Sequence, residues 1–202
     1  MKKIALAFFL SVIALFADAQ SEGKIYMSRD HGVTWKRSDN GFPSDDIVNA
    51  WAVSGSSIFA ATDQHGVMIS SDGINWSESR HGLPPNVRII SITAYRGSLF
   101  LGTYVHGIFV STDDGFTWQP ANQGLTNLTV RALAGQHSNL FAGTNAGIFF
   151  SSDRGQTWEI SKRGDHTATL QINNFAVEDS EIYAATNRGV VRSTDGGQTW
   201  DF

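Results

Sequence analysis

Along most of the chain, short apolar runs alternate with short polar clusters, and the alternation recurs with a fixed spacing. Apolar runs over residues 47–53, 88–94, 129–135 and 171–177 each lead into a polar turn, such as Ser54-Gly55-Ser56 or Arg96-Gly97. A second run follows over 58–61, 99–102, 140–143 and 182–185. Each then reaches a threonine and a short turn closed by Gly66, Gly107, Gly147 or Gly189. A third run covers 67–70, 108–111, 148–151 and 190–193. Short runs rich in β-branched and aromatic residues, punctuated by Gly, Asn, Asp and Ser and lacking a helical period, predict strands throughout.

Each third run enters one motif. The copies read SRDHGVTW from Ser28, SSDGINW from Ser70, STDDGFTW from Ser111, SSDRGQTW from Ser151 and STDGGQTW from Ser193. Their first serines stand 42, 41, 40 and 42 residues apart, the period of a repeat architecture. The box tryptophan is expected to open a fourth, shorter strand. Four antiparallel strands in roughly 40 residues make one propeller blade. The predicted fold is therefore all-β: a β-propeller of about four and a half blades, all within residues 20–202. A half blade falls over 24–36, followed by blades over about 45–78, 86–120, 127–160 and 170–202.

The motif has a physical role of its own as the hairpin between third and fourth strands. Its aspartates (Asp30, Asp72, Asp113, Asp153 and Asp195) can accept bonds from turn N–H groups. Its glycine supplies a positive φ without steric cost. Its tryptophans (Trp35, Trp76, Trp118, Trp158 and Trp200) can pack on a neighbouring sheet and close the turn from beneath. The second copy is one residue short, which predicts a tighter turn. These five segments resemble the Asp-box, or bacterial-neuraminidase repeat, S/T-x-D-x-G-x-T-W. That repeat is shared by sialidases, sortilin-type receptors, xyloglucan-degrading glycosidases and photosystem-assembly-factor-like proteins. In those families the box is a structural hairpin at the blade periphery, so the resemblance implies a fold and leaves the function open.

The first residues follow a different pattern. Lys2 and Lys3 precede an apolar run over 4–16, and Ala17-Asp18-Ala19 offers small residues where a signal peptidase reads. Residues 1–19 are therefore read as a signal peptide cleaved before Gln20. The run is shorter than the ~20 residues that span a bilayer, so no embedding in the membrane is expected. The chain has no cysteine, hence neither disulfides nor a lipid anchor on sulfur. Export to the periplasm or beyond follows, with stability resting on the core. A net charge of −4 carries no basic footprint for nucleic acid.

The blade count does not close a ring. The chain as given could be a fragment, the reading favoured by its end inside a motif. It could also be an open arc that self-associates through its sheet edges, or a small ring with irregular closure.

In a propeller, the loops between blades and the turns between second and third strands share one face, the default binding surface. The candidates there are Phe42, Asp45, Asp46, His65, Arg88, Tyr104, His106 and Arg188, together with Arg80, His81, Arg163, Asp165 and His166. His65 and His106 occupy equivalent turns, but without a third ligand at suitable spacing they are read as ordinary turn residues and no metal is expected. Asp113-Asp114-Gly115 lacks the glutamate of a calcium loop. No cofactor-binding motif occurs. A sialidase would need a tyrosine nucleophile, a glutamate, an acid/base aspartate and three clustered arginines; Arg88, Arg131 and Tyr104 supply part of that set and no more. The expectation is an exported, non-catalytic module whose upper loops bind a protein or a glycan. The alternative is a piece of a sialidase-like or other glycoside hydrolase whose remaining catalytic residues lie outside this chain.

Overall fold

A computed structural model describes residues 4–7, 14–17, 24–161 and 170–202, and no helix occurs among them. Nineteen strands form five antiparallel sheets. The first joins β1 (Ile4–Ala7), β2 (Ala14–Ala17), β3 (Ile25–Ser28) and β4 (Lys36–Arg37). The second holds β5 (Val48–Ser54), β6 (Ser57–Thr62), β7 (Val67–Ser70) and β8 (Ser77–Ser79). The third holds β9 (Ile89–Tyr95), β10 (Ser98–Thr103), β11 (Ile108–Ser111) and β12 (Gln119–Pro120). The fourth holds β13 (Val130–Gln136), β14 (Asn139–Thr144), β15 (Gly147–Ser151) and β16 (Glu159–Ile160). The fifth has β17 (Ile172–Glu178), β18 (Glu181–Thr186) and β19 (Gly189–Ser193), with Asp201 bridging to Arg192 where a fourth strand would begin.

Strand order follows chain order in every sheet, so each is a meander and one propeller blade. Where the repeat count left a half blade over 24–36, β3 pairs with β2 and β2 with β1. Segments inside the expected leader thus enter the first sheet. In the last three blades that have one, the fourth strand starts one residue after the box tryptophan rather than on it.

The first strands of the second to fifth blades pack on one another in succession and line the inside of the arc. Second strands are buried on both faces: β6, β10 and β14 each have five of their six residues buried, which explains their unbroken apolar runs. In β18 burial alternates, and Val190 on β19 is 56% exposed; no further sheet among the described residues covers that side.

Four apolar clusters fill the four spaces between successive blades, and each contains the box tryptophan of the later blade: Trp76, Trp118, Trp158 and Trp200. The indole N–H groups reach back across the interface, Trp76 Nε1 to the Ser38 carbonyl at 2.7 Å and Trp158 Nε1 to the Ala121 carbonyl at 2.8 Å. The main chain follows, with Trp76, Trp118 and Trp158 donating to Asn40, His81 and Gln123. Apolar packing and hydrogen bonding thus fix each blade to its predecessor at the same residue. Trp35, in the first box, is only half-buried.

Candidate binding site at the inner mouth

The site depends on an irregularity shared by four blades. In β5 the pairing with β6 runs from Val48 opposite Thr62 to Ala50 opposite Ala61, leaving Asn49 as an extra residue. The same shift leaves out Ile90 in β9, Arg131 in β13 and Asn173 in β17. Each is a β-bulge at the start of an inner strand. A bulge frees one residue from the ladder and re-aims its side chain. Three of these side chains line one hollow of about 240 Å³, walled by Asn49, Arg88, Ile90, Tyr104 and Arg131. Its walls come from three successive blades.

Two of the expected site residues meet there. Tyr104 N–H donates to the Arg88 carbonyl at 3.0 Å, so turn and strand entry are tied through the main chain. The Arg88 guanidinium stands 5.4 Å from the centre of the Tyr104 ring, a cation–π contact. Arg88 Nε also pairs with Asp63 Oδ1 at 2.5 Å, and Asn49 Nδ2 bridges Asp63 and the Ile89 carbonyl at 3.3 and 2.8 Å. Arg88 is therefore held and electrically balanced. Arg131 makes no ion pair among the described residues and carries the uncompensated charge of the hollow.

Asp46 and His65 also come together, in a different role. Asp46 is only 2% exposed. It accepts from the backbone N–H groups of Ile47, Asp63, Gln64 and His65, and from His65 Nδ1 at 2.8 Å. Burial alone would raise its pKa, but the bonds from Thr62, His65 and Ile47 outweigh it and hold the carboxyl below its ordinary value. Asp46 organises the turn; as a surface binding residue it is corrected. In the next blade the hydrogen-bond register sets Val87 where Asp46 stands, and there His106 Nδ1 is buried without a partner among the described residues.

Phe42 is a second correction. Expected on the rim, it is 8% exposed and packs edge-on to Trp76 with ring centroids 5.7 Å apart. Gly41 before it has φ +80°, and a Cβ there would lie 2.4 Å from the Trp76 carbonyl oxygen, so the loop turns inward against the box. Asp45 and Arg188 are exposed, away from the hollow. Arg163, Asp165 and His166 lie outside the described residues. Asn49, Ile90 and Asp63 went unrecognised in the sequence; an alignment of inner-strand starts across repeats is the signal that could have found them.

The box aspartates are structural. In the first copy Asp30 accepts from Thr34 N–H and Oγ1 and from Ser28 Oγ, at 2.8, 2.5 and 2.8 Å. The third, fourth and fifth copies repeat the arrangement. These bonds lower the carboxyls of Asp30 and Asp113 from 3.8 to about 2, Thr34 and Thr117 contributing most. In the short second copy Asp72 accepts instead from Ile74 and Asn75, two and three residues on, as a tighter turn requires. A larger hollow of about 440 Å³ lies at the outer edge between the first two blades. There Arg37 is paired with Asp39, and Arg29 donates to the Asp72 carbonyl.

Blades of this construction, stitched by five Asp-boxes, define an Asp-box β-propeller. Residues 58–166, more than half of the chain, match the DUF6242 beta propeller domain, and the chain belongs to that family. Residues 191–202 match the BNR/Asp-box repeat. A search of curated proteins returned no match. Among solved structures, the chain is similar to YCF48 bound to a D1 peptide, with TM-score 0.67 and 18% identity over 99% of this chain and 71% of that one. It is also similar to the extracellular domain of BT4673 from B. thetaiotaomicron, with TM-score 0.76 and 15% identity over 98% of this chain and 26% of that one. A third is the GH74 xyloglucanase from Xanthomonas campestris, with TM-score 0.69 and 16% identity over 94% and 36%. At these identities the likeness is one of fold. The chain spans about a quarter to a third of the last two.

Proposed function

We propose that this propeller is an exported binding module that holds a protein segment or a glycan at its inner mouth, without acting on it chemically. The observation that carries the reading is the hollow between Asn49, Arg88, Ile90, Tyr104 and Arg131. It is concave, shared by three blades, and combines an apolar wall with two cations and a carboxamide, the mixture that orients a ligand. Its walls include no carboxylate, whereas glycoside hydrolysis generally uses a pair of them across the scissile bond. The nearest, Asp63, is engaged by Arg88 and Asn49. The leader pattern over residues 1–19 supports export, as does a fold shared with an extracellular domain.

The second reading, a piece of a glycoside hydrolase, is favoured by the fold shared with a xyloglucanase and by the pairing of Arg88 with Tyr104. One assay separates the two. The purified protein is presented to peptide and glycan arrays and, in parallel, to sialosides and xyloglucan. Retention without turnover is expected, weakened by Arg88→Ala. Turnover abolished by Tyr104→Phe or Arg88→Ala would replace the binding reading with the hydrolase.

A further inference from the structure

We infer that the bulged residue of each inner strand is the position at which the propeller reads its ligand, and that Arg131 takes a carboxylate carried on an extended peptide. This rests on the binding reading above. The bulge recurs at one register position in four blades, holding Asn49, Ile90, Arg131 and Asn173. The residues on either side of it stay in the ladder, and Val48, Ile89, Val130 and Ile172 beside it keep the same branched aliphatic type. A frame position that is uniform sits next to a side-chain position that ranges from carboxamide to aliphatic to guanidinium. The ladder fixes the backbone while the bulge turns the variable side chain out of it, so ligand choice can change without disturbing blade packing.

The charges decide what the row takes. Arg88 is matched by Asp63 at 2.5 Å. Arg131 has no such partner among the described residues, so the hollow is left with one unmatched guanidinium, whose planar donors suit a carboxylate. Asn49, whose amide N–H groups go to Asp63 and the Ile89 carbonyl, can accept a peptide N–H through Oδ1 at the opposite wall, and Ile90 between them offers apolar contact. The rim favours a peptide over a sugar. Ile47, Val105 and Leu128 are 47%, 54% and 42% exposed on the turns and strand entries of the same face, which suits aliphatic side chains. One face of the Tyr104 ring is taken by Arg88, which reduces the aromatic platform on which sugar rings stack.

The test uses the full chain on an array of synthetic peptides that carry an aspartate, a glutamate or a free C-terminal carboxylate, each beside its amide counterpart. Neutral and uronic-acid oligosaccharides share the array, read at low and high salt. Retention of carboxylate peptides is expected, with the amide forms weaker by about tenfold or more. Arg131→Gln should erase that preference, Arg131→Lys should restore part of it, and moving the charge with Asn49→Arg in the Arg131→Gln background should shift which peptides are retained. Melting curves of each variant confirm folding. Equal retention of acid and amide forms, or a preference that survives Arg131→Gln, would overturn the inference and leave the binding module standing. Retention of acidic oligosaccharides in place of peptides would overturn the peptide assignment. No retention of any probe would overturn the inference together with the binding reading.

Discussion

Asp46 and His65 face each other across the top of the second blade, Nδ1 to Oδ2 at 2.8 Å, and the carboxylate gathers four backbone N–H groups besides. A carboxylate only accepts, so Nδ1 is the donor in this contact. Asp46→Ala would strand several donors in a buried turn and is expected to cost about 3 kcal/mol, against about 1–2 kcal/mol for Asp46→Asn, which keeps one acceptor. Urea titrations of both variants check this. Equal, small losses for the two would show that the bonds contribute little.

The box glycines carry two constraints at once. Gly155 has φ +81°, and a Cβ there would lie 2.6 Å from the Phe100 ring of the preceding blade; Gly115 and Gly197 meet Phe59 and Phe141 in the same way. Backbone strain and overpacking therefore add, and Gly155→Ala is expected to lose about 2–3 kcal/mol. Pairing it with Phe100→Leu should recover the packing part alone. A double-mutant cycle measures that share, and strict additivity would mean the ring is not the obstacle.

Acid should act on the boxes before it acts on the core. Asp30 and Asp113 are lowered from 3.8 to about 2, and Asp72, Asp153 and Asp195 are lowered too. For a depressed folded-state pKa, the stabilisation is fully present above the unfolded value and is lost as pH falls through the folded one. Thermal midpoints should thus hold down to about pH 4 and fall steeply between about pH 4 and pH 2. Asp113→Asn should lower the midpoint at neutral pH and flatten that fall. A pH profile indistinguishable from wild type in Asp113→Asn would remove the box carboxylates as the cause.

The fold was legible because the box is repeated five times and both of its constraints leave marks in residue type: an aspartate to collect N–H groups, a glycine for positive φ. The second-strand runs were legible because neighbouring blades bury both faces. The site was less so. Asn49, Ile90, Arg131 and Asn173 share a backbone irregularity but no chemistry, and a bulge displaces one residue without altering composition. Phe42 was misplaced because a phenylalanine in a polar loop reads the same whether it points to solvent or, as here, folds back on Trp76. Asp46 reads in the sequence as a surface acid because its partners come from a turn 17 to 19 residues further along. Arg88 and Tyr104 were both expected on the upper face; that they touch depends on the Tyr104 N–H bond to the Arg88 carbonyl, which no spacing rule announces.

Were residues 1–19 cleaved as a leader, the first blade would change. Cleavage before Gln20 removes β1 and β2, and β3, now paired with β2 from Ala14 opposite Ser28 to Ala17 opposite Ile25, would be left with a free edge. Free edges of this kind recruit strands from other chains. The truncated protein beginning at Gln20 is therefore expected to associate with itself more than the full-length chain does, as light scattering coupled to size exclusion would show. Tyr26→Pro, at the residue that faces β2 (Ile25 beside it faces β4, where its carbonyl accepts from Ser38 N–H), should reduce that association by removing a donor from the freed edge. If the truncated protein stays monomeric at every concentration at which the full-length chain does, the edge is covered from within, and self-association through β3 is excluded.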